Sequence, residues 1–310
     1  MIYHVNLLEM EKAQHFAEEM LRVAERLDDA ARLVGAHTAL GYSLFYHGKL
    51  EPALAHLRQG FELFDPNMQF PDWPGTHPGV SCQSFSAQIS WMLGYPDRSL
   101  DELRAAVRSA ETLGHPLTLA STLCFAALVY ILRHEPSAAA DFAERALKIC
   151  EENRLPQFHS YALCADGWAL GVSGESEKGL AQNAQGVDSY GLGSNRTHLL
   201  ALQADAHLAI GQPEAALASV AGLEAVEKAG GAPHEAELWR LKGETLLAGA
   251  GTPSEAEEAI KKTIDVARRQ NAKSWELRGG MSLARLRRQQ GRPQEAAALL
   301  APILGSTAGL

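Results

Sequence analysis

The residues with the most suggestive chemical spacing are Glu11, His15 and Glu19, which stand four apart near the amino terminus. On a helix they would share one face, where two carboxylates and an imidazole can bind a transition metal. The same pattern is typical of a solvated helix face, and we favour that interpretation. Four other histidines fall at predicted turns or helix ends, where capping is commoner than general-base catalysis: His77, His115, His134 and His159.

The established enzyme motifs do not occur in this chain. There is no Walker A loop, no G-x-S-x-G elbow and no H-E-x-x-H pair. The four cysteines lack the close spacing of a zinc knuckle or a redox pair: Cys82, Cys124, Cys150 and Cys164. The sequence therefore predicts a protein that is not an enzyme, with no cofactor and no metal.

Composition narrows the class of protein. The 310 residues are 46% hydrophobic and 21% charged, with a net charge of −9, which is typical of a globular protein and gives no general reason to expect nucleic-acid binding. The most apolar stretch, Leu117–Leu132, has 16 residues, whereas a bilayer span needs roughly 20. With no recognisable signal peptide, we expect a cytoplasmic location.

A repeated turn organises the chain. A short turn recurs along the chain, and in most copies a glycine stands two residues before the aligned position. Successive aligned positions are separated by 46, 40, 40, 37, 40 and 40 residues. The aligned positions are Leu50, Pro96, Pro136, Ser176, Pro213, Pro253 and Pro293. Glycine two residues earlier can end a helix in the left-handed conformation, and proline suits the first position of the next helix. A period of this size is typical of stacked helical repeats.

Small residues recur on both sides of each turn. Three after the aligned position stand Ala53, Ser99, Ala139, Gly179, Ala216, Ala256 and Ala296. Twelve before those stand Gly41, Ala87, Ala127, Gly167, Ala204 and Ala284, whereas Gly243 stands thirteen before its partner. We therefore expect two helices that cross closely in each repeat, with one turn longer by a residue.

This pattern resembles the tetratricopeptide repeat (TPR). The resemblance implies an all-α, right-handed superhelix of about seven helical hairpins. We expect an N-terminal helix or partial repeat at 1–34, a repeat array at 35–303 and a frayed tail at 304–310. Segments 233–248 and 268–286 are also similar to the C-terminal repeat region of large bacterial ATPase-containing nucleotide cyclases and transcriptional regulators.

One insertion interrupts the array. Residues 65–80 contain four prolines, which exclude a helix there. Trp73 and His77 are the candidate functional residues of this loop. It is either a loop packed over the array edge or the cover of a small-ligand site.

The first helices of such hairpins line a concave groove that binds partners. Inward-facing positions in the groove select Tyr42, Gln88, Trp91, Trp168, Arg240, Arg278, Arg285 and Arg288. Aromatic side chains often anchor interfaces, and arginine binds carboxylates through paired hydrogen bonds. The alternatives are aromatic residues packed between helices and arginines that form a solvated face.

The sequence thus predicts a non-catalytic scaffold that binds a protein or peptide, with an acidic segment at the arginine end. Its expected role is regulatory or sensory, in a bacterial signalling system. One alternative is a small-ligand sensor with its site under the 65–80 loop. The other is nucleic-acid binding through Lys261–Arg292, a segment that contains ten Lys and Arg but only two acidic residues, Asp265 and Glu276. The identity of the partner, the oligomeric state and membership of a longer protein stay open.

Overall fold

The computed structural model describes residues 9–70, 73, 75–190, 195–223, 226 and 232–307, and these contain helices and no strand. The helices are α1 Met10–Leu27, α2 Ala30–Tyr46, α3 Leu50–Leu63, α4 Pro78–Met92, α5 Pro96–Leu113, α6 Pro116–Leu132, α7 Pro136–Asn153, α8 Pro156–Val172, α9 Ser176–Tyr190, α10 Arg196–Ala209, α11 Pro213–Ser219, α12 Glu235–Thr245, α13 Pro253–Arg269, α14 Lys273–Gln289 and α15 Pro293–Thr307. From α2 onward they form seven hairpins, which we number 1 to 7, in a right-handed superhelix.

The domain limits differ slightly from those expected. The array begins with α2 at Ala30 rather than at 35, and α1 is the single helix before it. Helix α15 continues to Thr307, so the segment expected to fray at 304 is helical for one more turn. Residues 1–8 and 308–310 lie outside the described residues.

The repeated turn has the backbone conformation that the sequence predicts. Gly48, Gly94, Gly174, Gly211 and Gly291 have φ between 71° and 104°, and each precedes the second helix of its hairpin by two residues. In hairpin 3 this position is His134, with φ 57°. These left-handed residues end the first helix and reverse the chain.

Hairpin 6 is the exception, because its first helix ends in a π-turn at Leu246–Ala250. The left-handed residue there is Gly249, with φ 124°, and Gly251 is extended instead. A π-turn adds one residue to a helix, which explains why Gly243 stands thirteen rather than twelve residues before Ala256. Thr252 and Glu255 then form the expected capping box at the start of α13.

The small residues mark close helix crossings, as predicted. A Cβ atom at Gly41 would lie 2.6 Å from Cγ of Leu57, and one at Gly243 would lie 2.5 Å from Cγ1 of Ile260. The tightest crossing joins α8 and α9, where a Cβ at Gly167 would lie 2.6 Å from the carbonyl oxygen of Gly179. Backbone meets backbone there, so no side-chain movement can relieve the overlap.

The superhelix closes on itself. Asn271, before α14, donates from Nδ2 to Oε2 of Glu51 in hairpin 1 at 3.0 Å. Ser274 of α14 donates from Oγ to the carbonyl oxygen of Trp91 in α4 at 2.5 Å. The concave groove expected to run along all seven hairpins is therefore shut off in its later part, because hairpin 7 packs against hairpins 1 and 2.

Two glycines of α8 provide a matched test of the close crossing. We expect Gly167→Ala to destabilise the protein by about 2–3 kcal/mol, because its methyl group would overlap the backbone of α9. We expect Gly171→Ala, where a Cβ has nothing within 4 Å, to stabilise it by about 0.5–1 kcal/mol through helix propensity. Urea unfolding measures both changes, and equal effects would contradict the crossing.

Candidate functional site

A row of aromatic rings from all seven hairpins fills the axis of the superhelix; all lie on first helices except that of His234, which directly precedes α12. Successive ring centroids lie 5.4, 4.9, 6.2, 6.2, 4.1 and 6.3 Å apart. The row then returns to hairpin 2, where Trp275 meets Trp91 at 5.0 Å. We call this row the aromatic spine; its members are Phe45, Phe85, Phe125, Tyr161, His198, His234, Trp275 and Trp91, all buried. The spine divides the interior of the superhelix into two regions.

The first region, which we call the ionic centre, consists of Asp205, Glu237, Arg240 and Arg278. Arg240 donates to both carboxylate oxygens of Glu237 at 2.8 Å. Arg278 donates to Oε1 of Glu237 at 3.1 Å, and Trp168 donates from Nε1 to Asp205 at 2.9 Å. Burial by itself raises the pKa of Glu237, but Arg240 and Arg278 outweigh it and hold that pKa below its ordinary value.

Arg278 links four hairpins through its guanidinium group. It lies 5.1 Å from the ring centroids of both Trp91 and Trp275, and it donates to the carbonyl oxygen of Leu132 at 2.5 Å. With Glu237, its contacts therefore come from hairpins 2, 3, 6 and 7. The cavity beside it measures about 30 Å³, which is room for a water molecule but not for a peptide side chain.

The sequence-selected groove residues divide into three groups in the structure. Four of them come together at the ionic centre: Trp91, Trp168, Arg240 and Arg278. Trp168, Arg240 and Arg278 line the same small cavity, and Trp91 packs against the guanidinium group of Arg278. Gln88 is also buried, at 2% exposure. Arg285 and Arg288 are exposed on α14, and Arg285 pairs with Glu244 at 2.9 Å. A partner-binding role for these residues stays a prediction.

The second region, which we call the inner cavity, has a volume of about 230 Å³. It lies towards the amino-terminal ends of α4, α6 and α8, with Tyr42 of α2 on its wall. Its lining residues carry no charge: Thr38, Ala39, Tyr42, Trp73, Gly75, Thr76, Ser81, Phe85, Leu117, Ser121, Phe125, Gln157, Phe158 and Asn195. This is the part of the inner wall that the spine leaves unfilled.

The 65–80 insertion contributes one wall of the inner cavity. It ends earlier than expected, because Pro78–Val80 form the first turn of α4, where proline at the first helical position is tolerated. Trp73 lies with its ring against Gly35 of α2, where a Cβ atom would be 2.9 Å from Cζ3, and its Nε1 donates to the carbonyl oxygen of Thr76 at 2.9 Å. His77 packs its ring against Phe64 and Phe70, with centroids 5.2 and 4.9 Å away. Trp73 therefore reaches the cavity, whereas His77 anchors the loop before α4.

Sequence reasoning found Tyr42 and Trp73 but missed Phe125, Phe158 and Asn195. One weak signal for the spine is present: Phe85 and Phe125 stand 40 apart, at the same position of two successive repeats. Asn195 follows an irregular connection and carries no such signal. Its carboxamide accepts a hydrogen bond from the hydroxyl of Tyr46 at 2.6 Å, across the superhelix.

The described residues contain no cluster of three His, Cys, Asp or Glu that could hold a metal ion. Glu11 and His15 are exposed on α1, as the solvated-face interpretation expects. The four cysteines are buried, and burial raises the pKa of the Cys82 and Cys164 thiols to about 12. These thiols are protonated at neutral pH and are poor nucleophiles. None of the described helices is long and apolar enough to cross a bilayer.

Solved structures with the same architecture include two Rap proteins and a quorum sensor. The Rap conjugation gene regulator of plasmid pLS20, in complex with the Phr* peptide, has a TM-score of 0.64 at 11% identity over 89% of this chain and 76% of its own. A Rap protein complexed with Competence and Sporulation Factor scores 0.60 at 13% identity over 96% and 74%. The apo quorum sensor NprR from B. thuringiensis scores 0.59 at 11% identity over 98% and 86%.

These similarities confirm the TPR-like superhelical fold. At such low identities they concern the fold and not the function. No protein-family model matches the sequence, and no curated protein sequence matches it.

Loss of Arg278 tests the ionic centre. We expect Arg278→Met to destabilise the protein by about 3 kcal/mol, because Glu237 loses one of its two guanidinium partners in a buried site. Arg285→Met is the matched control: that side chain is 63% exposed, and we expect a change below about 0.5 kcal/mol. Urea unfolding gives both values, and X-ray scattering should show a larger radius of gyration only for Arg278→Met.

The buried histidines of the spine predict a loss of stability in acid. Burial, with a smaller opposite effect from Glu237, lowers the pKa of His234 to about 4, against about 6.5 in the unfolded chain. Between these values the unfolded state binds the proton and the folded state does not. The contribution of the neutral His234 is therefore fully present above pH ~6.5 and is lost as the pH falls towards 4.

Urea unfolding at pH 7.5, 6.5, 5.5 and 4.5 measures this dependence. We expect a smaller fall in the free energy of unfolding for His234→Phe than for the wild type over this range. Met281→Phe, an exposed change on α14 that removes no titratable group, should leave the slope unchanged. Equal slopes for His234→Phe and the wild type would contradict the assignment.

Proposed function

We propose that this protein is a non-catalytic regulator that binds a short peptide segment in the inner cavity. The observation that carries the proposal is the cavity itself: the first helices of hairpins 1 to 4 and the loop before α4 surround a space that the aromatic spine leaves open. Side chains from four first helices face this space. Concave inner surfaces of this kind are the usual binding surfaces of helical-repeat proteins.

The lining of the inner cavity indicates the chemistry of the segment. Phe125, Phe158 and Leu117 supply apolar surface, while Gln157 and Ser121 supply hydrogen-bonding groups. Because no lining residue is charged, a charged side chain would lose its hydration without gaining a counter-ion. A volume of about 230 Å³ suits one or two large apolar side chains, with the peptide backbone bonded at the rim.

The arginines offer less support for an acidic segment. Arg240, Arg278 and Arg285 are already bonded to Glu237 or Glu244. An acidic peptide would have to displace these internal partners. The proposal is therefore for a neutral, apolar segment.

Nucleic-acid binding by Lys261–Arg292 is disfavoured on the same ground. At least eight of the ten basic residues form ion pairs with glutamates: Lys261, Arg268, Arg269, Lys273, Arg278, Arg285, Arg287 and Arg292. Nucleic-acid affinity depends on cations that exchange small counter-ions for phosphates. Cations already neutralised by neighbouring carboxylates contribute little to it.

The peptide-bound Rap regulator of pLS20 gives the proposal a precedent at the level of the fold. A regulatory or sensory role in bacterial cytoplasmic signalling is consistent with that precedent. It is part of the proposal and rests on fold-level analogy.

A small-ligand sensor is the second candidate, and the insertion favours it. Trp73, Gly75 and Thr76 of the 65–80 loop form part of the cavity wall. A neutral, compact molecule would fit the same volume without needing a peptide backbone at the rim.

A library of N-acetylated, C-amidated heptapeptides with a central Leu, Phe or Trp tests the peptide proposal. We expect binders by fluorescence polarisation, and we expect Leu117→Arg to weaken them at least about 10-fold, because it places a charge in an uncharged cavity. Gln289→Arg, an exposed change on α14, is the matched control and should bind normally.

The outcomes separate the two candidates. Peptides that bind equally well to Leu117→Arg would place their site elsewhere and reject the inner cavity. If no peptide binds, but neutral metabolites raise the melting temperature of the wild type and not of Leu117→Arg, the small-ligand function replaces the peptide function.

A further inference from the structure

Helix α1 carries an exposed apolar stripe. Among the described residues, ten large apolar side chains are exposed, and four of them lie on this one helix. They are Phe16, Met20, Val23 and Leu27, exposed by 46, 39, 42 and 52%. Their spacing of 4, 3 and 4 residues places them along a single helical seam, about 16 Å long at 1.5 Å per residue. A seam of this length and spacing is typical of helix-to-helix packing.

The stripe borders an open groove of about 800 Å³ between α1 and the start of α2. Phe70 and Trp73 of the insertion form its third side. In hairpins 1 to 6 the second helix packs against its own first helix and against the first helix of the next hairpin. Among the described helices, α1 packs in this way against α2, so the groove lies where the first helix of its own hairpin would run.

We propose that a second copy of this chain places its own α1 in the groove, so that two copies form a two-fold symmetric dimer. When the two-fold axis is perpendicular to the paired helices, the helices run antiparallel, as the two helices of a hairpin do; the proposal is for this orientation of the axis. Each α1 then supplies the other with the antiparallel neighbour that a hairpin requires. The proposal does not require the peptide site, although Trp73 borders both the groove and the inner cavity.

The order of residues along the stripe suits this pairing. In an antiparallel pair centred between Met20 and Val23, Met20 of one copy lies opposite Val23 of the other. The same centre places Phe16 opposite Leu27, because both pairs of residue numbers share one midpoint. The stripe is thus complementary to itself in a single register, with an aliphatic side chain in every layer.

The charges beside the stripe are complementary in the same register. Glu19 and Arg26 stand seven residues apart on one flank of the seam. Antiparallel pairing brings Glu19 of one copy beside Arg26 of the other, and symmetry creates this pair twice. Within its own chain Glu19 forms an exposed ion pair with Arg22 at 2.7 Å, so Arg26 of the second copy would share or displace that partner. On the opposite flank, Ala17 and Ala24 are buried against α2 and leave room for close approach.

Analytical ultracentrifugation of the full chain between ~1 and ~200 µM tests the dimer. We expect the weight-average mass to rise towards twice 33.5 kDa across this range, as a small helix-to-helix interface gives micromolar affinity. Met20→Glu with Val23→Glu should remain monomeric throughout, since both positions are exposed and the fold does not need them. Met281→Glu, at a 50% exposed residue of α14, is the matched control and should dimerise like the wild type.

A charge exchange tests the antiparallel register. We expect Glu19→Arg and Arg26→Glu each to raise the dimer dissociation constant several-fold, and the double variant to return it to near the wild-type value. The double variant Met20→Cys with Val23→Cys should form intermolecular disulfides under mild oxidation, because this register places position 20 of one copy opposite position 23 of the other. The four native cysteines are buried and should not compete.

Three results would overturn the proposal. If the wild-type chain stays monomeric at ~200 µM, the dimer is rejected, and the occupant of the groove would have to be a helix of another protein. A dimer that survives Met20→Glu with Val23→Glu would lie on a different surface. A charge-exchanged double variant that dimerises no better than the single variants would exclude this register.

Discussion

Burial of one aromatic ring per hairpin along a common axis is the constraint on which the rest of this molecule depends. In an open repeat array each hairpin contacts only its neighbours, so that stability is close to a sum of local terms. Here the spine returns on itself, because Trp275 of hairpin 7 packs against Trp91 of hairpin 2. Loss of that contact would expose the rings of both Trp275 and Trp91. Unfolding of hairpin 7 is therefore coupled to the packing of hairpin 2, and the array gains a long-range source of cooperativity.

Arg278 fixes how the ring of hairpins closes. A buried guanidinium group loses its hydration, and only good hydrogen-bond geometry offsets that cost. Arg278 obtains it from Glu237 and from the carbonyl oxygen of Leu132, with an indole ring on each side. Leu132 is the last residue of α6, where a carbonyl has no partner within the helix and the helix dipole favours a cation. A different closure would leave this charge without partners, so the ionic centre selects one arrangement of the superhelix.

The features that the sequence predicts are those encoded within a single hairpin. Gly48 and Gly94 end helices, the Thr252–Glu255 box begins one, and Gly167 marks a crossing, because each acts through residues close in the chain or in the adjacent helix. The spine is different. Relative to the small residue of each first helix, its rings stand at +4, −2, −2, −6, −6, −9 and −9. No fixed repeat position therefore marks it, and the contact between Trp91 and Trp275 depends on the summed tilt of all the hairpins between them.

This drift of the spine along the first helices also explains where the inner cavity lies. In hairpin 1 the spine residue is Phe45, near the carboxyl end of α2, whereas in hairpin 7 it is Trp275, near the start of α14. The early first helices therefore keep their amino-terminal ends clear of the spine, and Leu117, Ser121 and Phe158 face open space there. On the other side of the spine lie the carboxyl ends of α6, α8 and α10, whose free carbonyl groups favour cations, and the ionic centre fills that space. The neutral cavity and the charged centre are two sides of one row of rings, which is why the ligand that we propose for the cavity is apolar.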